Sequence, residues 1–481
     1  MPQAEHKFTL EQGITFDFSP LWGEGRIQAE DITEFSSELE QAVAGVAQLR
    51  KTGLVKGHLS KDGKPEPVYF TRLPYLEKGN PNTEELLKGL TSYGQKTKDQ
   101  CDVVIFSGIG GSYLGGRVLY DCYTGEYWER TQQPGERLSK IYFTGNSLDV
   151  ETMESTWGEL QLLGEAMRAN TGKKMRVALV AISKSGTTLE PTAGFLYFYS
   201  KLTAAKEVFK LDVTVVTDKN NHKGPFNVLA DKYGWRVFDV LEGIGGRFSV
   251  LSTPGLVVAA ILGMDLFQLL AGARDLDLAC QGSSPEDNPA LANALYKYIA
   301  NVKYGCSIEV IMPYSQRLLS LGDWYVQLLA ESLGKRKNRQ GEDVFYGRTP
   351  TVAVGTTDMH SQTQLHQDGK RDKVVQFLTV AGARNKIVLT NPFPEIKSYA
   401  PFAGLDIDRA LFVARDAYQE ALSSDKRFNA CICVPKLNEY VLGQLFYFFM
   451  LSIAYEGEMA EVDAYDQPGV EIYKRIMHKN L

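Results

Sequence analysis

Short apolar runs alternate with longer stretches of helical periodicity through the middle of this chain. A strand that is covered on both faces of its sheet is encoded as a continuous apolar run, so the alternation predicts parallel strands packed under helices. The first set of predicted strands covers residues 103–106, 141–143, 176–182, 213–216 and 236–240, and a helix is predicted over residues 191–209.

The same pattern starts again after a helical region around residues 255–291, with strands predicted at residues 308–312, 352–354, 374–378, 386–389 and 430–434. A chain of 481 residues exceeds the size that one hydrophobic core usually serves. The predicted fold class is therefore α/β, with two doubly wound parallel-sheet domains. The predicted divisions are a helix-rich N-terminal segment (1–99), a first domain (100–250), a helical connection (251–287), a second domain (288–450) and a C-terminal helical arm (451–481).

Composition and terminal patterns exclude several classes of protein. The net charge of −6 argues against a general nucleic-acid binder, which needs a basic surface. Residues 1–7 are polar and lack the apolar core of a signal peptide. The most apolar segment, residues 255–273, is interrupted by Asp265 and Gln268 and is predicted to be a buried core helix. We therefore expect a cytoplasmic protein that binds neither membrane nor nucleic acid.

The six cysteines are scattered and form no disulfide-rich framework. Cys431 and Cys433 lie in a predicted buried strand, where we expect thiols that pack as small apolar side chains. A metal site would need a second pair of Cys or His residues, and none has the required spacing. The sequence therefore predicts no metal and no cofactor.

Residues 183–188 follow a predicted strand and precede a helical stretch. They read Ser183-Lys184-Ser185-Gly186-Thr187-Thr188, which places four hydroxyl groups and one lysine in a single turn. Exposed backbone N–H groups and the positive end of a helix favour an anion at such a turn. We therefore predict a phosphate-binding loop and a phosphorylated small molecule as the ligand.

A glycine-rich loop follows the predicted strand at residues 103–106 and contains Gly108-Ile109-Gly110-Gly111-Ser112. Its spacing matches neither the dinucleotide fingerprint nor the P-loop. Alone, the loop is equally compatible with a tight structural turn. Combined with the loop at residues 183–188, it favours binding of a phosphosugar over a nucleoside triphosphate.

A third loop, residues 242–249, places Arg247 after a pair of glycines. The planar guanidinium of such an arginine can reach an oxyanion. The alternative is a surface arginine in a flexible turn, and the loop taken by itself favours that alternative.

A predicted helix over residues 318–335 carries Gln327 and Glu331 four positions apart, on one face. The same stripe contains Trp324 and Leu328, and a carboxylate beside apolar residues suits a general base. The alternative is a solvated glutamate at a helix end. The basic run at residues 335–339 is typical of a solvated face, although it could also concentrate an anionic substrate.

Two further segments carry candidate acid–base groups. His360 lies in a polar loop after a predicted strand, where histidine suits proton transfer near neutral pH. Gln467 precedes Pro468, which suits the first turn of a terminal helix, and Lys474 lies two turns further on. A structural histidine and an exposed helix lysine remain the alternatives.

Taken together, six segments in order resemble the glucose-6-phosphate isomerase (phosphoglucose isomerase) family. The resemblance extends from Gly108 to Lys474. Its motifs are Gly108-Ile109-Gly110-Gly111-Ser112, Ser183-Lys184-Ser185-Gly186-Thr187-Thr188, Gly245-Gly246-Arg247-Phe248-Ser249, Glu331-Ser332-Leu333-Gly334-Lys335, Asp358-Met359-His360-Ser361 and Asp466-Gln467-Pro468-Gly469-Val470.

The resemblance implies two sugar-isomerase domains and a metal-free, reversible conversion of glucose 6-phosphate and fructose 6-phosphate through an enediolate, in glycolysis and gluconeogenesis. It implies that Glu331 moves the proton and that Arg247 stabilises the enediolate. His360 and Lys474 would assist ring opening, and Gln327 would line the sugar site. It also implies a homodimer in which the neighbouring subunit donates His360. The residues implied to hold the phosphate are Gly111, Ser112, Ser183, Lys184, Ser185, Thr188 and Gln467.

The chain departs from the family pattern at Leu333, Met359 and Pro468, none of which is a reacting group. These positions affect the expected edge of the pocket and its selectivity. Three alternatives remain at this stage: a non-catalytic phosphosugar-binding module, a related isomerase that also accepts mannose 6-phosphate, and a phosphosugar aminotransferase. The last would need an N-terminal glutaminase cysteine, and the first cysteine here is Cys101.

Overall fold

The computed structural model describes residues 6–60, 62–125 and 139–480 and divides the chain into two units. The first unit contains the residues up to Pro65 together with those from Asp275 onward, and the second unit is Glu66–Arg274. The predicted sheet regions, 100–250 and 288–450, lie in the second and first unit respectively. The predicted N-terminal segment, whose residues 1–5 are outside the described part, is divided between the two units.

The N-terminal part of the first unit contains strands that sequence analysis did not predict. Strands β1 and β2 pair antiparallel, with Phe8 opposite Phe16. Each is only three residues long, too short for an alternating pattern to be visible in the sequence. The elements in this part are β1 (Lys7–Thr9), β2 (Thr15–Asp17), α1 (Ala29–Glu34), α2 (Ser36–Thr52) and β3 (Leu54–Leu59), and β4 (Pro65–Pro67) crosses into the second unit.

The described residues of the second unit form a five-stranded parallel sheet in the order β6-β5-β7-β8-β9. All five strands of the first predicted set are confirmed. The elements are α3 (Glu84–Gln100), β5 (Val103–Ser107), α4 (Leu114–Tyr123), β6 (Lys140–Thr144), α5 (Val150–Thr171), β7 (Met175–Ile182), α6 (Leu189–Ala204), β8 (Phe209–Thr217), α7 (Pro225–Tyr233), β9 (Arg236–Asp239) and α8 (Thr253–Leu262).

The order of these strands creates a switch point between β5 and β7. The chain passes from β5 to β6 on one side and then returns to β7 on the other side. Ligands of open α/β sheets bind beyond the carboxyl ends of the strands at such a point. The loops that begin at Gly108 and Ser183 leave β5 and β7 at this place.

Two helix predictions in this part of the chain require correction. The helix predicted over residues 191–209 ends at Ala204, because Phe209 already begins β8. The single helix predicted over residues 255–273 is interrupted after α8, where Gly263 has a φ of 83°. A carboxylate oxygen of Asp265 then accepts the N–H groups of Phe267 and Gln268, and α9 (Leu266–Ala279) begins. Within the described residues, every helix is too short or too polar to cross a membrane.

The second half of the first unit contains a six-stranded sheet in the order β1-β2-β15-β14-β10-β13. The four strands from β15 to β13 are parallel, whereas β2 pairs antiparallel with β15, so the predicted parallel sheet is mixed. The elements are α10 (Pro289–Val302), β10 (Ile308–Pro313), α11 (Leu319–Leu333), β11 (Lys335–Lys337), β12 (Asp343–Tyr346), β13 (Thr349–Val352), α12 (Thr363–Asp368), β14 (Lys373–Val380), α13 (Ile407–Ser424), β15 (Asn429–Val434), α14 (Glu439–Met459) and α15 (Pro468–Asn480).

Two strand predictions in this sheet differ from the structure. The strand predicted at residues 352–354 occupies Thr349–Val352 instead. The strand predicted at residues 386–389 is wrong, because only an isolated bridge joins Val388 to Asp406. Ile387 is 60% exposed, so this apolar run lies on the surface and has no neighbouring strand to cover it.

A buried ion cluster ties α10, β10 and α14 together and reaches α11. It consists of Lys297, Glu309, Arg348 and Glu456, all of them buried. Lys297 donates to Glu309 at 2.6 Å, and Arg348 pairs with Glu309 at 2.9 Å and with Glu456. The hydroxyl of Tyr325 on α11 also donates to Glu309, at 2.8 Å. The cluster therefore anchors the helix that carries Gln327 and Glu331.

Candidate active site

The loop at residues 183–188 is organised by its own side chains. The Oγ of Ser183 accepts the N–H of Gly186 at 3.1 Å, and the Oγ of Ser185 accepts the N–H of Thr187 at 3.2 Å. Gly186 has a φ of 68°, a conformation that favours glycine. Lys184 and Ser185 are exposed. The predicted phosphate loop is thus a preformed turn with its cation and a hydroxyl accessible.

Thr188 is the N-cap of α6, and its side chain makes no capping hydrogen bond. The first N–H groups of a helix lack partners within the helix, and the helix dipole makes this end positive. The first turn of α6 therefore leaves donors for an anion. The Oγ of Ser107, at the end of β5, donates to the carbonyl of Pro191 in α6 at 2.8 Å. This bond holds the start of α6 against the strand that carries the glycine-rich loop.

The glycine-rich loop is in direct contact with the Arg247 loop. Gly110–Ser112 forms a short 3-10 turn. A Cβ at Gly111 would lie 1.9 Å from the carbonyl oxygen of Gly246, so only glycine fits at this position. The Oγ of Ser249 donates to the Gly246 carbonyl at 2.7 Å. Two segments separated by more than a hundred residues are therefore brought together in the second unit.

Arg247 is buried, with only 2% of its surface exposed. It lies in the 3-10 segment Gly246–Leu251, and its guanidinium carbon is 5.7 Å from the ring centroid of Phe248. The alternative of a surface arginine in a flexible turn is therefore wrong.

In the first unit, Gln327 and Glu331 are paired as their helical spacing predicts. The Nε2 of Gln327 donates to Glu331 Oε1 at 3.2 Å. Glu331 is half-buried, not a fully solvated side chain. The Oε1 of Gln327 is buried and accepts no hydrogen bond from the described residues. It is an acceptor that a ligand hydroxyl could satisfy.

Lys335 connects the Glu331 end of α11 to the segment that carries Gln467. Its Nζ donates to the carbonyl of Glu331 at 2.8 Å and to the carbonyl of Asp466 at 2.6 Å, and it forms an ion pair with the Asp466 carboxylate at 2.8 Å. The Lys335 side chain is 5% exposed. The expectation that residues 335–339 form a solvated face is therefore wrong at Lys335, and also at Arg339, which pairs with the buried Glu458.

A second contact supports the same segment. The Nδ1 of His58 on β3 lies 2.9 Å from the carboxylate of Asp463. That carboxylate also accepts the N–H of Tyr465 at 3.0 Å. Burial alone would raise the pKa of Asp463, but the hydrogen bond and the charge of His58 hold it below its ordinary range. The residues just before Gln467 are thus held on two sides.

His360 lies at the end of a 3-10 turn, Thr357–Met359, that Asp358 organises. Asp358 accepts the N–H of Val354 at 2.7 Å and the hydroxyl of Ser361 at 2.7 Å. The imidazole of His360 is exposed and makes no hydrogen bond within the described part of the chain. His366, by contrast, is buried and bonded to the hydroxyl of Tyr418, which makes it a structural histidine.

Gln467 is exposed and directly precedes α15, as predicted. Lys474 is half-buried on α15 and pairs with Glu471 at 3.3 Å. The structure records no hydrogen bond between Glu331 and either Lys474 or His360 among the described residues.

Sequence reasoning missed the residues that hold the candidate groups in place. For Lys335 a signal existed, because lysines near the end of a helix often bond its last carbonyls. For Asp358 the signal was its position in a turn, where aspartate bonds nearby N–H groups. His58 and Asp463 are 405 residues apart, and no pattern in the sequence relates them. Among the described residues no cluster of three or more His, Cys, Asp or Glu side chains could hold a metal ion.

A family model described as phosphoglucose isomerase matches residues 83–481.

The chain belongs to the phosphoglucose isomerase family.

This confirms the recognition drawn from the six motifs, and with it an enzyme that interconverts glucose 6-phosphate and fructose 6-phosphate. It also favours this enzyme over the non-catalytic phosphosugar-binding module. Glucose-6-phosphate isomerase from Carboxydothermus hydrogenoformans is 30% identical over 465 residues, covering 96% of this chain and 93% of the relative. The protein of the same name from Rubrobacter xylanophilus is 31% identical, covering 97% of this chain and 98% of the relative.

Two solved structures share the fold. The crystal structure of a hypothetical protein from Thermus thermophilus has a TM-score of 0.77 at 27% identity and covers 97% of this chain and 99% of that one. A glucose-6-phosphate isomerase from Chlamydia trachomatis has a TM-score of 0.75 at 21% identity and covers 98% of this chain and 89% of that one.

Proposed function

We propose that this isomerase transfers a proton between C2 and C1 of the open-chain sugar phosphate through an enediolate, with Glu331 as the base. The observation that carries the proposal is the position of the Glu331 carboxylate. It is half-buried, hydrogen-bonded to Gln327, and located at the helix end that Lys335 fixes. One carboxylate can remove the proton from C2 and return it to C1 if both carbons present the same face.

Substrate phosphate is proposed to bind at the loops of the second unit. Two hydroxyl-bearing loops leave neighbouring parallel strands at the switch point, and one of them leads into the uncapped end of α6. The ligands would be Lys184 together with the N–H and hydroxyl groups of Gly111, Ser112, Ser183, Ser185 and Thr188, with help from Gln467. Binding energy from a phosphate remote from the reacting carbons can be used to orient them. We also propose that residues 100–250 and 288–450 are the two sugar-isomerase domains.

Arg247 is proposed to stabilise the enediolate as its negative charge forms. An arginine that is already buried and fixed needs little reorganisation when the charge develops, which is the condition for effective electrostatic catalysis. The contact between Gly111 and Gly246 supports this role, because it couples the position of the Arg247 loop to that of the glycine-rich loop.

Ring opening needs an acid at the ring oxygen and a base at the anomeric hydroxyl. His360 and Lys474 are proposed for this step. His360 is exposed and supported by a turn that Asp358 holds, which suits a residue that acts outside its own subunit. We therefore propose a homodimer in which His360 of the partner subunit assists the reaction.

Free thiols fit a reducing compartment, and we propose that the enzyme is cytoplasmic. The six cysteines form no disulfide, and five of them are buried.

The metal-free mechanism predicts that isomerisation survives chelation. Fructose 6-phosphate conversion, measured by a coupled assay, is expected to proceed at the same rate before and after dialysis against EDTA, because Glu331 and Arg247 do the work of proton transfer and charge stabilisation. Adding EDTA to the coupling enzymes alone provides the control. Loss of activity that Mg²⁺ or Zn²⁺ restores would contradict the mechanism.

Donation of His360 between subunits predicts complementation. Glu331→Gln and His360→Ala are each expected to be nearly inactive. Random assembly of the two variants should recover about a quarter of the wild-type activity, because half of the dimers are mixed and each mixed dimer contains one intact site. Co-expression with two affinity tags isolates the mixed dimer. If His360 acted within its own subunit, the mixed dimer would stay as inactive as its parents.

Lys335 is predicted to be a positioning residue. Lys335→Met removes the bonds to Glu331 and Asp466, and a displacement of about 1 Å in a catalytic group costs about 10²-fold in rate. We expect this loss in kcat, with KM changed much less. Lys337→Met is the matched control, because Lys337 lies on the same short strand but is exposed, and among the described residues its amine pairs only with Asp343 and the carbonyl of Gly341. Equal kinetics for both variants would contradict the assignment.

A further inference from the structure

A cavity of about 450 Å³ lies at the amino end of the sheet in the second unit. It is bounded by the last turns of α3, α6 and α7, by residues 211–214 of β8 and by the start of β9. The loops proposed to bind phosphate leave the carboxyl ends of β5 and β7 in the same sheet, so the cavity is at the opposite end of the sheet. Its volume is within the range of about 300–1,000 Å³ that is typical of small-molecule sites.

One wall of the cavity is aromatic. The rings of Tyr233 and Trp235 are stacked, with centroids 5.4 Å apart and an angle of 20° between planes. Tyr199 meets Trp235 edge to face at 5.6 Å. Tyr233 is 51% exposed, so part of this aromatic surface is open to a ligand. Such rings offer a surface on which a flat heterocycle can stack.

The other walls carry charges that have no polar partner among the described residues. Lys96 and Arg236 line the cavity, and neither side chain makes a hydrogen bond or ion pair within residues 6–60, 62–125 and 139–480. The guanidinium of Arg236 lies over the ring of Tyr93, 5.5 Å from its centroid, which holds it in place. The carboxylate of Asp212, also in the lining, makes no hydrogen bond or ion pair within the same residues. Two cations and one carboxylate thus remain available to a ligand.

We propose that this cavity binds a nucleoside monophosphate. The aromatic wall suits the base, the carboxylate of Asp212 suits the ribose hydroxyls, and Lys96 and Arg236 suit the phosphate. A phosphosugar would leave the aromatic wall unused, and an uncharged aromatic compound would leave the cations unpaired. The site is separate from the isomerase residues and does not depend on their roles.

The test is calorimetric titration of the full-length enzyme with AMP. Wild-type enzyme is expected to bind AMP with a signal that Lys96→Ala and Arg236→Gln each weaken about tenfold or more, since a hydrogen bond to a charged group is lost. Lys88→Ala is the matched control, because Lys88 lies on the same helix α3 but outside the cavity and pairs with Glu84 on the surface. All three variants are expected to retain isomerase activity, which also shows that they fold.

Two further arms separate this site from the phosphosugar site. AMP binding is expected to persist in saturating fructose 6-phosphate and in Lys184→Ala, while adenosine and inorganic phosphate should each bind at least about tenfold more weakly than AMP. Failure of AMP to bind at millimolar concentration would overturn the proposal. Equal binding by wild-type enzyme and both cavity variants, or displacement of AMP by fructose 6-phosphate, would also overturn it.

Discussion

Replacing Glu331 by glutamine is expected to lower kcat by about 10²- to 10⁴-fold, the range that a positioned general base contributes. Glutamine has nearly the same shape and keeps an acceptor for the Nε2 of Gln327, which donates to Glu331 at 3.2 Å. It cannot take a proton from C2. Because the proposed phosphate ligands are on other loops, the affinity for fructose 6-phosphate should change only slightly.

Single-turnover kinetics measure the rate of the chemical step, and direct titration with fructose 6-phosphate measures the affinity for substrate. Glu342→Gln is the matched control, since Glu342 is an exposed glutamate that bonds Asn338 in the adjacent hairpin. Lys184→Ala should give the opposite pattern, with weaker binding of substrate and of inorganic phosphate and a smaller effect on turnover. Near-normal isomerisation by Glu331→Gln would refute the assignment of the base.

Replacing Arg348 by methionine is expected to destabilise the first unit by about 3–5 kcal/mol, the usual cost of breaking a buried ion pair by removing one partner. Arg348 contacts both carboxylates of the buried ion cluster, and none of the three side chains has more than 2% of its surface exposed. Without the guanidinium, Glu309 and Glu456 share the single cation Lys297 in a buried environment. Unfolding by urea, followed by circular dichroism, measures the loss.

Arg336→Met is the control for this prediction. Arg336 pairs with Asp343 at 2.8 Å, but its side chain is 67% exposed. Exposed pairs of this kind contribute about 0–1 kcal/mol, so the variant should unfold almost like wild type. A similar, small loss of stability in both variants would show that the buried ion cluster is not needed for the fold.

The same cluster predicts a pH dependence of stability. Burial raises the pKa of Glu309, but Lys297 and Arg348 outweigh this and hold it at about 2, below the ordinary value of 4.5. A group whose pKa is depressed in the folded state stabilises the fold above its unfolded pKa and loses this contribution as the pH falls through the folded pKa. The free energy of unfolding should therefore decrease from pH 4.5 towards pH 2. This decrease should be smaller in Arg348→Met, because the substitution removes one of the two cations that lower the pKa of Glu309.

The strands and helices that could be predicted are those whose burial leaves an apolar pattern within their own segment of sequence. The five strands of the second unit read as apolar runs because helices cover both faces of their sheet. Strands β1 and β2 were missed because a segment of three residues is too short to show an alternating hydrophobic pattern. The run at residues 386–389 was assigned to a strand because it is apolar, but Ile387 and Val388 are exposed and no neighbouring strand pairs with them. Composition alone does not distinguish a buried apolar run from an exposed one.

Some features of the candidate site could also be predicted from local sequence, and others could not. Gln327 and Glu331 share a helix face by spacing alone, and the turn at residues 183–188 shows its hydroxyl groups and glycine in consecutive positions. The burial of Arg247 was not predictable, because it depends on a backbone contact with a loop more than a hundred residues earlier. Lys335 was assigned to a solvated face because its neighbours are basic, although its amine is bonded to two carbonyl groups and a carboxylate.

The sequence by itself determined the family, the alternation of strands and helices, and the residue types available for phosphate binding and proton transfer, because motifs and periodicity are properties of neighbouring positions. Tertiary structure alone decided which of those residues are held in place. The contact of Gly111 with Gly246, the bonds of Lys335 to Asp466, and the pair formed by His58 and Asp463 join positions far apart in the chain. Such contacts depend on how the chain packs, and packing is set by the whole fold and not by any local segment.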